Sequence, residues 1–233
     1  MIRTLFFPII FSFFSLFLFS CKSKQVNNEQ VPEPTATEEN LDEPSTSSDE
    51  KFILFFGNSL TAGYGIDQEQ AYPNLIQQRI DSLGYNYTVI NGGLSGETTA
   101  GGLNRIDWVL KNQKIDVFVL ELGGNDILRG LDLKSTEENL RGITTKVQAA
   151  YPEVKIILAG MLAPPNMGND YTRDFAAIFP MLAKEFDTGL IPFFLENVAS
   201  IPELNLQDGI HPNAEGQKIV TENVWKELEK VLP

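Results

Sequence analysis

Residues 51–233 of this chain are divided by four short, nearly unbroken apolar runs: "FILFF" (52–56), "TVI" (88–90), "VFVLEL" (117–122) and "VKIILAG" (154–160). A weaker fifth, "LIPFF", spans 190–194. A strand with one wet face alternates apolar and polar residues, whereas a run apolar at nearly every position fits a strand buried on both faces. The intervening stretches carry helical spacing instead. In "YPNLIQQRIDSLG" (72–84), Leu75, Ile76, Ile80 and Leu83 share one face and Gly84 supplies a stop signal. Residues 101–113, 135–152, 174–187 and 213–232 follow the same logic, the last with a stripe of Ile219, Val220, Val224, Leu228 and Val231. Strands alternating with helices predict a five-stranded parallel sheet covered on both sides, a three-layer α/β/α arrangement. Such sheets gather reactive residues in the loops after the C-terminal ends of their strands.

Those loops carry the chemistry. After the first strand, "FFGNSLTAGYG" (55–65) sets Ser59 where strand gives way to helix, as a nucleophile or as an ordinary helix cap. The G-x-S-x-G elbow common in other hydrolases is absent, since Leu60 and Thr61 follow Ser59. The second loop, "NGGLSGETTAGG" (91–102), is rich in glycine, so its N–H groups can face an anion or merely form a turn. In the third, "ELGGNDILRG" (121–130), Asn125 offers a side-chain N–H to developing negative charge, although Asn–Asp pairs also build plain turns. Near the C-terminus, "DGIHPN" holds Asp208 three residues before His211, the only histidine in the chain, and one turn can join carboxylate to imidazole. A lone histidine can equally be a surface residue.

The N-terminus has another character. Arg3 precedes a 15-residue apolar run, Leu5–Phe19, which is short for a membrane span and suits the apolar part of a secretory signal, with a short anchor helix as the alternative. "LFSC" resembles the lipobox of bacterial lipoproteins, implying a signal peptide at 1–20 and lipidation of Cys21. Cys21 is the sole cysteine, so no intramolecular disulfide competes for it. Residues 21–50 hold no aromatic residue and eight acids against two lysines, the composition of a disordered acidic tether. Residues 51–233 then contain 23 acids and 15 bases, one domain of modest acidity. No basic patch points to nucleic acid.

Taken together, the four loop segments resemble the four sequence blocks of the SGNH (GDSL-type) hydrolases, in order and at similar spacing. "GNSLTAGYG", "LSGETT", "LELGGNDILRG", "FPMLAKEFDTGLIPFF" and "QDGIHPN" are similar to the thioesterase I, lysophospholipase and arylesterase branch, and the likeness covers essentially all of residues 51–233. One departure is Asn58, where the name-giving motif has aspartate. The resemblance implies the flavodoxin-like SGNH fold and a triad of Ser59, His211 and Asp208. It also implies an oxyanion hole from the Ser59 and Gly96 N–H groups and the Asn125 amide. The implied activity is hydrolysis of a small ester, thioester or lysophospholipid without a cofactor. One histidine and no cysteine within 51–233 offer no metal-ligand cluster, and the chain is expected to be a monomer anchored in the cell envelope through Cys21. By the same resemblance Leu128 belongs to a loop flanking the acyl site, and Leu162, Pro164 and Met167 are expected to form its apolar wall. Two other readings stay open: a carbohydrate acetylesterase, and a non-catalytic lipoprotein that binds lipid or glycan.

Overall fold

The computed structural model describes residues 50–233. The expected signal peptide, Cys21 and nearly all of the tether lie outside the described residues. Five parallel strands form one sheet: β1 (Lys51–Gly57), β2 (Tyr87–Gly93), β3 (Val117–Glu121), β4 (Lys155–Ala159) and β5 (Gly189–Ile191), in the spatial order β2-β1-β3-β4-β5. Register runs without a bulge, with Gly57 of β1 level with Gly93 of β2 and with Glu121 of β3. Ile53, Leu54, Phe55 and Phe56 are all buried, as an apolar run packed on both faces requires.

Among the described residues seven helices complete the architecture: α1 (Ser59–Ala62), α2 (Tyr72–Leu83), α3 (Thr99–Asn112), α4 (Gly124–Leu128), α5 (Leu133–Ala150), α6 (Asn169–Phe186) and α7 (Ala214–Leu228). Helix α2 packs against α7, while α3 packs against α5 and α5 against α6, so helices cover both faces of the sheet. The last strand is shorter and earlier than "LIPFF" suggests. Pro192 has no N–H for a ladder bond, and the strand ends at Ile191 before it. Helix α6 starts five residues before the predicted 174, because the mostly polar turn "NDYTR" continues the helix, with Tyr171 packed against the core. Because all five strands are parallel, the loops after them lie at one end of the sheet, and the connection order changes direction between β1 and β3, where the site lies.

Candidate active site

Strand β1 ends at Gly57, and Asn58 caps a one-turn helix whose first residue is Ser59. The Asn58 side-chain oxygen accepts the Leu60 N–H at 3.0 Å. Ser59 is only 9% exposed and stands at the floor of a cleft of about 470 Å³. As the first helical residue, it has a backbone N–H with no intrahelical acceptor.

The partner of Ser59 arrives from 152 residues away. Leu206 N–H donates to His211 O at 2.7 Å and Asn213 N–H to Leu204 O at 2.9 Å, closing residues 206–211 into a tight loop. At its tip Asp208 Oδ1 accepts the Ile210 and His211 N–H groups at 2.9 and 3.0 Å. Asp208 Oδ2 lies 2.7 Å from His211 Nδ1, and His211 Nε2 lies 2.8 Å from Ser59 Oγ. Partial burial works against the Asp208 charge, but the two backbone N–H groups and the imidazole outweigh it and lower its pKa to about 2. The aspartate is therefore ionised well below neutral pH. Its contact fixes Nδ1 as the protonated nitrogen and leaves Nε2 to accept from the serine.

The other loops close round this line. Asn125, in the first turn of α4, donates through Nδ2 to Glu97 O at 2.9 Å and lines the cleft. That amide keeps a second N–H for a ligand. Gly96 sits in the adjoining loop at φ +80°, a conformation that favours glycine. Leu128, Leu162 and Pro164 line the cleft with Ile127, Met161 and Pro165.

Residues 55–219 match the GDSL-like Lipase/Acylhydrolase family. The chain belongs to this family. Among curated proteins it is similar to Esterase TesA of Pseudomonas aeruginosa, 38% identical over 180 residues that cover 77% of this chain and 89% of the other. It is also 39% identical to Thioesterase 1/protease 1/lysophospholipase L1 of Escherichia coli K12, over 77% of this chain and 84% of that protein. Among solved structures, a crystal structure of TesA superposes with a TM-score of 0.75 at 38% identity, covering 78% of this chain and all of that one.

In this GDSL-like acylhydrolase one expectation needs correction. Met167 does not line the cleft; the turn Pro165–Met167 carries it back against the hydrophobic core, and Met161, just after β4, lines the cleft instead. Gly96 stands beside the cleft, next to Glu97, whose carbonyl holds Asn125. Other groups near the centre went unread in the sequence. Tyr64 lays its ring 4.6 Å from that of His211, centroid to centroid. Arg105 grips Glu97 through Nε and Nη2 at 2.6 and 2.7 Å, donates to Gly92 O at 2.7 Å, and lies 3.8 Å over the Phe56 ring. Arg129 donates to Gly96 O at 2.8 Å. Glu121, fully buried at the end of β3, accepts from Asn58 and Thr61 directly behind the serine.

Proposed function

We propose that the protein is a serine hydrolase that cleaves carboxylic esters and thioesters through Ser59, His211 and Asp208. One observation carries this reading: an unbroken line from Asp208 through His211 to Ser59, with links of 2.7 and 2.8 Å, that ends on a hydroxyl at the floor of an apolar cleft. Ser59 Oγ attacks the acyl carbon while His211 Nε2 takes its proton. Asp208 stabilises the resulting imidazolium. The carbonyl oxygen gains the negative charge and is received by the N–H groups of Ser59 and Gly96 and by the Asn125 amide. On collapse, His211 returns the proton to the departing alkoxide or thiolate, and water then repeats the sequence on the acyl-serine.

The cleft favours more than an acetyl group. Leu128, Leu162, Ile127, Met161, Pro164 and Pro165 present apolar surface over a volume that suits a longer acyl chain or an aryl group. Lysophospholipids, aryl esters and acyl thioesters are the substrates we infer, with carbohydrate acetate esters the poorer fit. Every polar group of the proposed machinery comes from one chain, so the site needs no second copy. Ser59→Ala is expected to abolish hydrolysis of p-nitrophenyl esters and palmitoyl-CoA while leaving the far-ultraviolet circular dichroism unchanged. Substantial remaining turnover would reduce Ser59 to a helix cap.

We further infer that the domain is tethered to a membrane of the cell envelope through acylated Cys21. Support comes from Arg3, the 15-residue apolar run, "LFSC" and the acidic, Pro- and Ser-containing stretch that follows. Cys21→Ser should shift the protein out of the membrane fraction or leave it unprocessed. Unchanged membrane association with an intact N-terminus would favour an anchor helix.

A further inference from the structure

Glu121 is a fully buried carboxyl group that the reaction above does not use, and it lies against the residue that precedes the nucleophile. It ends β3, level with Gly57 of β1. A Cβ at Gly57 would overlap Thr61 Oγ1 and lie 2.6 Å from Glu121 Oε2, so only glycine lets the carboxylate reach this position. The two carboxyl oxygens have separate partners. Oε1 accepts from Asn58 Nδ2 at 2.9 Å; Oε2 accepts from Asn58 N at 3.2 Å and from Thr61 Oγ1 at 2.8 Å. Tyr72 OH stands 2.9 Å behind Thr61 Oγ1. With Thr61 donating to the carboxylate, Tyr72 donates to Thr61.

These contacts set the orientation of the Asn58 amide. Because Nδ2 is held by Glu121, Oδ1 must face the other way, where it accepts the Leu60 N–H and lies 3.4 Å from Ser59 Oγ. The amide thus ties the buried acid to the first turn that carries Ser59 and its backbone N–H. We propose that Glu121 is a positioning residue for the nucleophile, holding Asn58 in its working orientation and doing so as a carboxylate. Asn58 donates to both carboxyl oxygens and Thr61 to one, and an ionised acid accepts all three, whereas a protonated one would have to turn the Thr61 hydroxyl round toward Tyr72. Asparagine suits this role, since an aspartate at position 58 would set a second carboxylate oxygen against Oε1. The proposal rests on the reading of Ser59 as nucleophile.

The surroundings make the ionisation matter near neutrality. Burial raises the Glu121 pKa, and the hydrogen bonds from Thr61 and Asn58 offset that only in part, leaving it at about 7. The titratable group facing it is Tyr72 on α2, whose own phenol is pushed upward by burial and by the Glu121 charge. Asn58 and Thr61 are the other side chains bonded to it, and among the described residues no cation forms an ion pair with it.

The test measures kcat/KM for p-nitrophenyl butyrate from pH 5 to 8 in wild type, Glu121→Gln, and the double variant Asn58→Asp with Glu121→Gln. Ionisation of Glu121 adds one proton to those that must leave before reaction, so the wild-type acid limb should be steeper than that of a variant without this carboxyl group. In Glu121→Gln the new amide sets its NH2 group against either Asn58 Nδ2 or the Asn58 backbone N–H, so the hold on Asn58 is weakened. That should lower kcat roughly 10- to 100-fold with little change in KM, as misplaced reacting groups do, and make the limb shallower. In the double variant, the carboxylate introduced at position 58 accepts from the amide introduced at position 121, and the hydrogen bond is restored with its polarity reversed. It should recover most of kcat while keeping the shallower limb. A wild-type limb no steeper than that of Glu121→Gln, a Glu121→Gln variant as active as wild type, or a double variant no better than the single one would each overturn the proposal. Phosphonate labelling of Ser59 separates the two levels: if Ser59 is not labelled, the reading of the nucleophile fails first. If Glu121→Gln alone does not fold, the double variant supplies the same comparison of limbs.

Discussion

His211 offers two nitrogens to two different partners, and its worth as a base depends on that division. Nδ1 is committed to Asp208 and Nε2 to Ser59, so replacing the ring removes both the proton acceptor and the link to the carboxylate. His211→Ala should therefore reduce kcat/KM by several orders of magnitude and remove the imidazole's share of the acid limb. Asn125→Ala should behave differently. Losing one donor to the oxyanion lowers kcat by roughly 10²–10³-fold and leaves the pH profile in place. Parallel pH–rate curves for the two variants check this, and an altered limb in Asn125→Ala would mean that the amide orients the base. At this scale the sequence was informative where residue type is rare. A single histidine three residues after an aspartate has few bland explanations once a loop can fold it back. Glu121 was hidden by the opposite circumstance, an acid inside an apolar run, where periodicity reads only the strand.

Helix α3 does more than cover the sheet. Its Arg105 holds Glu97, whose own carbonyl receives Asn125, and the buried Asp126 of α4 accepts the Thr99 N–H and hydroxyl at 2.9 and 2.6 Å. The loop 94–98 is thus fastened to the start of α4 from two sides. Arg105→Ala would leave Glu97 buried without its partner, a change that typically destabilises by about 3–5 kcal/mol and here lowers Tm by roughly 6–20 °C. Below that Tm, kcat should also fall while KM changes little, because the loop that holds Gly96 and the Asn125 amide loosens. Calorimetry and steady-state kinetics on the same sample separate the two effects; a lower Tm with unchanged kcat would make the pair purely structural. Element identity was legible because buried parallel strands and amphipathic helices have different periods. Boundaries were less so. Pro192 cut β5 short, a mostly polar first turn lengthened α6, and the wall methionine proved to be Met161, since apolar composition does not reveal which of two methionines a 3₁₀ turn folds inward.

Across the whole molecule, the buried acid that orders the nucleophile also shapes the dependence of stability on pH. The folded protein holds the Glu121 proton up to about pH 7, whereas an unfolded glutamate releases it near ~4.3. Between those values the native state binds more protons than the unfolded chain, so stability falls as pH rises. This contribution is complete below the window and lost through pH 7, with a magnitude on the order of 3 kcal/mol. Asp208 works in the opposite sense. Its pKa of about 2 adds stability above the ordinary aspartate range that is lost only as pH falls toward 2. Its partial exposure keeps that contribution small. The enzyme is thus expected to be more stable at pH 5 than at pH 8, while the ionisation that weakens the fold orders Asn58 for catalysis. Urea unfolding at pH 5, 6, 7 and 8 should give a declining free energy in wild type and a flatter line in Glu121→Gln, which has no proton to lose. If both proteins lose stability in parallel across that range, the decline belongs to other groups, and Glu121 does not link stability to pH.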